Sequence, residues 1–154
     1  MKNQALWVGA ILVLALDRAT KYWVMQTLPQ GATVPLWPGV FHLTHVTNTG
    51  AAFSLLAGTG STLLSWVSVV VSLGILGYGW LGPVLPAWER WGYGLILGGA
   101  MGNGLDRVLR GEVIDFLDLR LIQFPIFNGA DIAINLGVAC LLWANLRARQ
   151  SSQA

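Results

Sequence analysis

Charge is what this sequence has least of. Of its 154 residues only 10% are Asp, Glu, Lys or Arg, and 55% are hydrophobic, whereas a soluble domain carries about a quarter charged residues. No charged residue occurs between Lys21 and Glu89, a stretch that a water-exposed surface of this size does not sustain. The net charge of +2 is too small, and its cations too scattered, for a nucleic-acid partner. Cysteine is almost missing: Cys140 stands alone in an apolar run, which excludes an intrachain disulfide and a zinc site of several thiolates. What remains reads as a small polytopic membrane protein, a single domain over residues 1–154.

A membrane helix takes roughly 20 mostly apolar residues, and four windows qualify: Ala5 to Met25, Thr62 to Leu81, Trp91 to Val108 and Gly129 to Leu146. The first, preceded by Lys2, also has the outline of a signal peptide. However, Asp17 and Arg18 stand where a small-residue cleavage site is needed, and Tyr22 to Met25 resume the apolar run, so it reads as an uncleaved anchor. Four spans place both termini on one side with the Pro83 to Arg90 connection, and residues 26–61 and 109–128 on the other. Basic residues divide four to five between the sides. Setting aside Arg18, Lys21 and Arg107, which lie among acids in the helices, the positive-inside rule puts the termini in the cytoplasm. Six of the seven acids then fall on the extracytoplasmic side, Glu89 being the exception, so the chemistry is expected there.

On that side, Val40 to Val46 alternates between apolar and polar residues and is bounded by Pro38-Gly39 and Gly50, the pattern of a strand or hairpin resting at the membrane interface. Trp37 and Phe41 suit an aromatic belt. His42 and His45 fall on opposite faces of such a strand with no carboxylate beside them, and read as interfacial polar residues. Gly94, Gly98 and Gly102 recur every four residues and strip one helix stripe for close packing. Asn103 and Arg107 share a helix face, as do Asp17 and Lys21, acid before base in the favourable order.

Asp115 and Asp131 have no basic neighbour at helical spacing. Asp115 lies in the connection between two consecutive antiparallel spans and Asp131 at the opening of the second of them, so both reach the same membrane level, where a face-to-face carboxylate pair is available. An acid near the bilayer is costly unless paired or protonated. Two carboxylates sharing one proton supply a base and an acid for activating water. Intramembrane acids also mark ion pathways, but a transporter predicts acids spread through the depth and an inverted repeat. A lipid-headgroup transferase would hold a metal with several closely spaced aspartates; Asp115 and Asp118 are the only close aspartate pair, and Asp118 reads as a loop residue.

Five blocks carry a family resemblance: Asp17-Arg18-Ala19-Thr20-Lys21; Asn48-Thr49-Gly50-Ala51-Ala52-Phe53-Ser54; Gly98 to Asn103 with Asp106-Arg107; Val113-Ile114-Asp115-Phe116; and Phe127-Asn128-Gly129-Ala130-Asp131. In this order, from Asp17 to Asn135, the chain closely resembles the lipoprotein signal peptidases (signal peptidase II), aspartyl proteases of the bacterial cytoplasmic membrane. The resemblance implies a mainly α membrane fold of four transmembrane helices with an extracytoplasmic β-cradle between helices 1 and 2. It implies Asp115 and Asp131 as the catalytic dyad, with Asp17, Lys21, Asn48, Gly50, Asn103, Arg107, Asn128 and Asn135 binding substrate or supporting the site. The implied substrate is a diacylglyceryl-modified prolipoprotein cut just before its lipidated cysteine. No metal or organic cofactor is implied, and a monomer among membrane lipids is expected. Gly129, where the family more often has a branched aliphatic residue, and His45, where an apolar or aromatic one is usual, depart from the pattern.

Overall fold

The computed structural model describes residues 2–50 and 60–151; Ala51 to Ser54 of the second block lie outside the described residues. The elements run α1 (Gln4–Thr27), β1 (Thr33–Trp37), β2 (Phe41–Asn48), α2 (Gly60–Leu81), α3 (Ala87–Arg110), β3 (Val113–Leu119), a 3₁₀ turn (Arg120–Ile122) and α4 (Gly129–Ser151). Each helix contains its apolar window and extends beyond it at one or both ends.

Thr62–Leu81 in α2 and Gly129–Gln150 in α4 are long and apolar enough to cross a membrane, with mean hydropathies of 1.7 and 1.4. The other two helices are more polar because their inward faces bury Asp17 and Lys21 in α1 and Asn103 and Asp106 in α3. Ile11, Leu16, Trp66, Val70 and Leu142 face outward while those charges lie inside. This reverses the arrangement of a water-soluble protein and suits a lipid-facing exterior.

Helix α3 sits between α1 and α4 because glycine gives it two smooth stripes. A Cβ at Gly94 would meet Leu6 O at 2.6 Å, one at Gly98 would meet Ala10 O at 2.7 Å, and one at Gly102 would meet Asp17 Oδ2 at 2.6 Å. The predicted stripe therefore faces α1. Gly99, against Ala130 O at 2.5 Å, serves α4 in the same way. At the opposite end of α1, buried Asn3 ties the helix start to the α2–α3 connection, donating to Gly79 O and Pro83 O and accepting from Leu85 N.

The strands form one antiparallel sheet in the order β1-β2-β3. Two expectations change here. The segment 109–128 contributes a strand to the cradle, so the sheet is not built from residues 26–61 alone, and Asp118 is a buried strand residue, not a loop residue. The run Val113 to Leu119 is too uniformly apolar around its acids to show strand alternation, being covered on both faces. His42 and His45 are both buried within the sheet. The β2–β3 register is irregular between Leu43 and Val46, where a bulge interrupts simple alternation. Ile114 and Phe116 seat the sheet on Val24 and Leu28 at the end of α1.

Overpacking a glycine stripe costs about 1–3 kcal/mol. Gly98→Ala is expected to lower the Tm in detergent, whereas Gly74→Ala on α2, whose Cβ would meet nothing within 4 Å, leaves it unchanged or raises it.

Candidate active site

After β3 and the 3₁₀ turn the chain doubles back. Phe127 O accepts from Phe116 N and Leu117 N, and Phe127 N donates to Leu117 O. This bridge delivers Asn128, the residue before α4, beside Asp115. Asn128 and Asp131 then form a reciprocal cap: Asp131 N donates to Asn128 Oδ1 at 3.2 Å and Asn128 N to Asp131 Oδ2 at 3.0 Å. Such a box satisfies two of the free N–H groups at a helix start. It also fixes the Asn128 amide, whose Nδ2 donates to Asp115 Oδ1 at 2.6 Å and Asn103 Oδ1 at 3.0 Å.

Each carboxylate is held by both its oxygens. Asp115 Oδ2 accepts from Asn48 Nδ2 at 3.0 Å across the β2–β3 pair. The Asn48 amide is oriented in turn by Gly50 N, which donates to its Oδ1 at 2.8 Å from a backbone with φ of 94°. That left-handed conformation favours glycine. Asp131 Oδ1 accepts from Asn103 Nδ2 at 2.8 Å. Arg107, on the same α3 face, lies within electrostatic reach of Asp131, Asp115 and Asp106. Asn135 does not touch the carboxylate; it donates to Asp131 O and lines the adjoining groove.

The two acids differ in surroundings. Asp115 is 2% exposed, while half-buried Asp131 opens onto a groove of about 530 Å³ walled by Leu119, Phe124, Phe127 and Ile132. Burial pushes the Asp115 carboxyl up to about 6 against the pull of the Asn48 bond; the Asp131 charge adds to the rise, and Asn128 and Lys21 oppose it. A buried acid that keeps its proton up to about pH 6 beside a second acid is a pairing suited to general acid–base chemistry.

Beneath the pair lies a network that i, i+4 spacing only half revealed. Lys21 pairs with Asp17 at 2.9 Å, as expected, but also with Asp106 at 2.8 Å, and Arg18 bridges the same two acids at 2.5 and 2.6 Å. Sequence reasoning left Arg18 and Asp106 out of the site. Their spacing in sequence gives no sign that α1 and α3 bring them together. A second polar cluster was missed on β3: Asp118 accepts from Thr44 Oγ1 at 2.6 Å and Arg120 Nε at 3.0 Å. Burial resists its ionisation, but Thr44 and Arg120 hold the Asp118 carboxyl below the usual carboxylate range.

The sequence pattern of the family described as signal peptidase (SPase) II matches residues 9–147. The chain belongs to the signal peptidase II family. Family membership makes it a peptidase. It is 60% identical over 153 residues to the lipoprotein signal peptidase of Gloeobacter violaceus, covering 99% of this chain and 88% of that one. With the enzyme of the same name from Thermosynechococcus vestitus it shares 58% identity, over 94% and 92% of the two chains. A solved bacterial membrane enzyme superposes with a TM-score of 0.84 at 29% identity, covering 95% of this chain and 90% of that one.

Removing Asn128 deletes the α4 cap and a donor to a buried carboxylate. Asn128→Ala is therefore expected to cost about 2 kcal/mol of stability, checked as a fall in Tm in detergent. The loss should exceed that of Asn48→Ala, which gives up a half-exposed amide at the end of β2.

Proposed function

We propose that this signal peptidase II family member is an aspartic endopeptidase that removes signal peptides from diacylglyceryl-modified prolipoproteins, cutting just before the lipidated cysteine. The observation that carries the reading is the carboxylate pair, Asp115 and Asp131, joined through Asn128 at the polar end of an apolar groove. A substrate whose cleavage site adjoins a signal helix and acyl chains suits apolar walls that lead to two acids.

In this mechanism the pair carries one proton. The ionised carboxylate takes a proton from water as the oxygen attacks the scissile carbonyl, while the protonated partner donates to the carbonyl oxygen. A tetrahedral diol results. Its collapse breaks the C–N bond as a carboxyl proton passes to the departing amine, and the pair regains the proton that the diol gives up. The burial of Asp115 supports its assignment as the proton donor at rest, and the position of Asp131 on the groove supports its assignment as the base. Arg107 and the amides of Asn48, Asn103 and Asn128 stabilise charge on the pair without competing for its proton, since in these contacts they only donate. The chemistry calls on no metal or organic cofactor.

All four helices span the bacterial cytoplasmic membrane as one domain, with cytoplasmic termini and the carboxylate pair near the extracytoplasmic face under the sheet. The polar inward faces of α1 and α3 are neutralised within the bundle, which removes much of the cost of inserting them. The enzyme works as a monomer surrounded by lipid.

Asp115→Asn and Asp131→Asn keep side-chain shape and remove the titrating oxygen. Each is expected to abolish cleavage of a diacylglyceryl-modified prolipoprotein in a gel-shift assay with purified enzyme, while expression and membrane insertion persist. More than a few per cent of residual activity in either variant would exclude the dyad. The one-proton form survives below the Asp115 value and is lost above it, so the basic limb of kcat/KM is expected to fall near pH 6. The basic limb of kcat should lie at higher pH, because bound substrate displaces water and favours the protonated acid further.

A further inference from the structure

Lys21 touches neither acid of the proposed dyad, yet two features of its surroundings act on that dyad. The first is directional. Lys21 Nζ, which only donates, is 2.8 Å from Asn103 Oδ1. That oxygen also accepts from Asn128 Nδ2. With its oxygen committed to two donors, the Asn103 amide has one orientation, and its NH2 group must face Asp131 Oδ1. A flipped amide would set its NH2 group against an ammonium and its oxygen against a carboxylate.

The second feature is the count of charges. In the connected cluster α1 contributes Asp17, Arg18 and Lys21, α3 contributes Asp106 and Arg107, β3 contributes Asp115 and α4 contributes Asp131. Strand β2 contributes the neutral Asn48. Three cations thus face four acids, and one proton on the Asp115/Asp131 pair leaves the cluster neutral. Net charge is costly in a low-dielectric interior. The fully ionised and doubly protonated states of the pair each carry net charge; the one-proton state does not.

We propose that Lys21 is a positioning residue for the reaction: it locks the Asn103 amide so that it donates to Asp131, and its charge sets the proton count of the carboxylate pair at one. This rests on the dyad reading above and adds that the α1 lysine governs it through Asn103. The salt bridges of Lys21 to Asp17 and Asp106 are then more than a device for hiding charge between helices.

The two effects separate in variants of the full-length enzyme assayed with a diacylglyceryl-modified lipopeptide across pH. Lys21→Met removes both the donor and the charge. It is expected to lower kcat by about 10- to 100-fold, the loss found when a partner that orients a metal ligand is removed, with little change in KM. Without the cation the pair retains its protons more tightly, so both limbs of the pH profile should move about one unit to higher pH. Lys21→Gln restores a donor without the charge; its profile should move equally while much of kcat returns.

Should an uncharged residue prevent folding beside two acids, both substitutions are made with Asp106→Asn, which rebalances the charge. The higher kcat of Gln over Met is then the readout. A folded Lys21→Met enzyme with the wild-type rate and profile overturns the proposal. So does a slower one whose profile is unmoved, since mere loosening of the helix pair produces that result, and so does equal kcat for Gln and Met. Failure of the wild-type enzyme to cut the lipopeptide would instead overturn the dyad reading itself.

Discussion

Charge removed from water has to be matched, and in this protein the matching determines how the helices are arranged. Asp17, Lys21 and Asp106 are each no more than 2% exposed, with no solvent to compensate a missing partner. Two acids and two cations therefore close a ring between α1 and α3. The ring forms only if the helix axes come close enough for Arg18 and Lys21 of α1 to reach Asp106 of α3 at 2.6 and 2.8 Å. The glycines of α3 permit that approach, most directly at Gly102, where a Cβ would collide with the Asp17 carboxylate.

The carboxylate pair is built on this base in layers. Lys21 reaches Asn103, Asn103 reaches Asp131, and Asn128 connects both to Asp115. Asn128 joins both acids, capping α4 against Asp131 with its backbone N–H and side-chain oxygen while its NH2 group donates to Asp115. A cap of this kind is rigid because each partner satisfies the other. The sheet completes the enclosure from the far side, through Asn48 and the apolar seat of Ile114 and Phe116 on α1. The result is one acid sealed from water and one facing an apolar groove, two different environments for two chemically identical side chains.

Much of this was legible in the sequence. The apolar windows predicted the helices because lipid-facing runs need no special partners, and the spacing of Gly94, Gly98 and Gly102 predicted a close crossing because small residues every four positions share a face. The acids at 115 and 131 stood out because nothing at helical spacing neutralised them. The strand at 113–119 was hidden because a segment covered on both faces loses its alternation, and Asp118 was misread with it. The burial of both histidines depended on a bulge that no local pattern announces.

The sequence by itself determined the membrane character, the number of long helices and the identity of the unpaired acids, because these depend on composition and local periodicity. It did not determine which partners those acids have. Asp106 with Arg18 and Lys21, and Asp115 with Asn48 and Asn128, are contacts between segments up to 88 residues apart. Only the packing of three helices against a sheet brings them within hydrogen-bond distance. Hydrogen bonds reach no further than about 3 Å, so the direction of each amide and the number of charges around the pair are decided by tertiary structure alone.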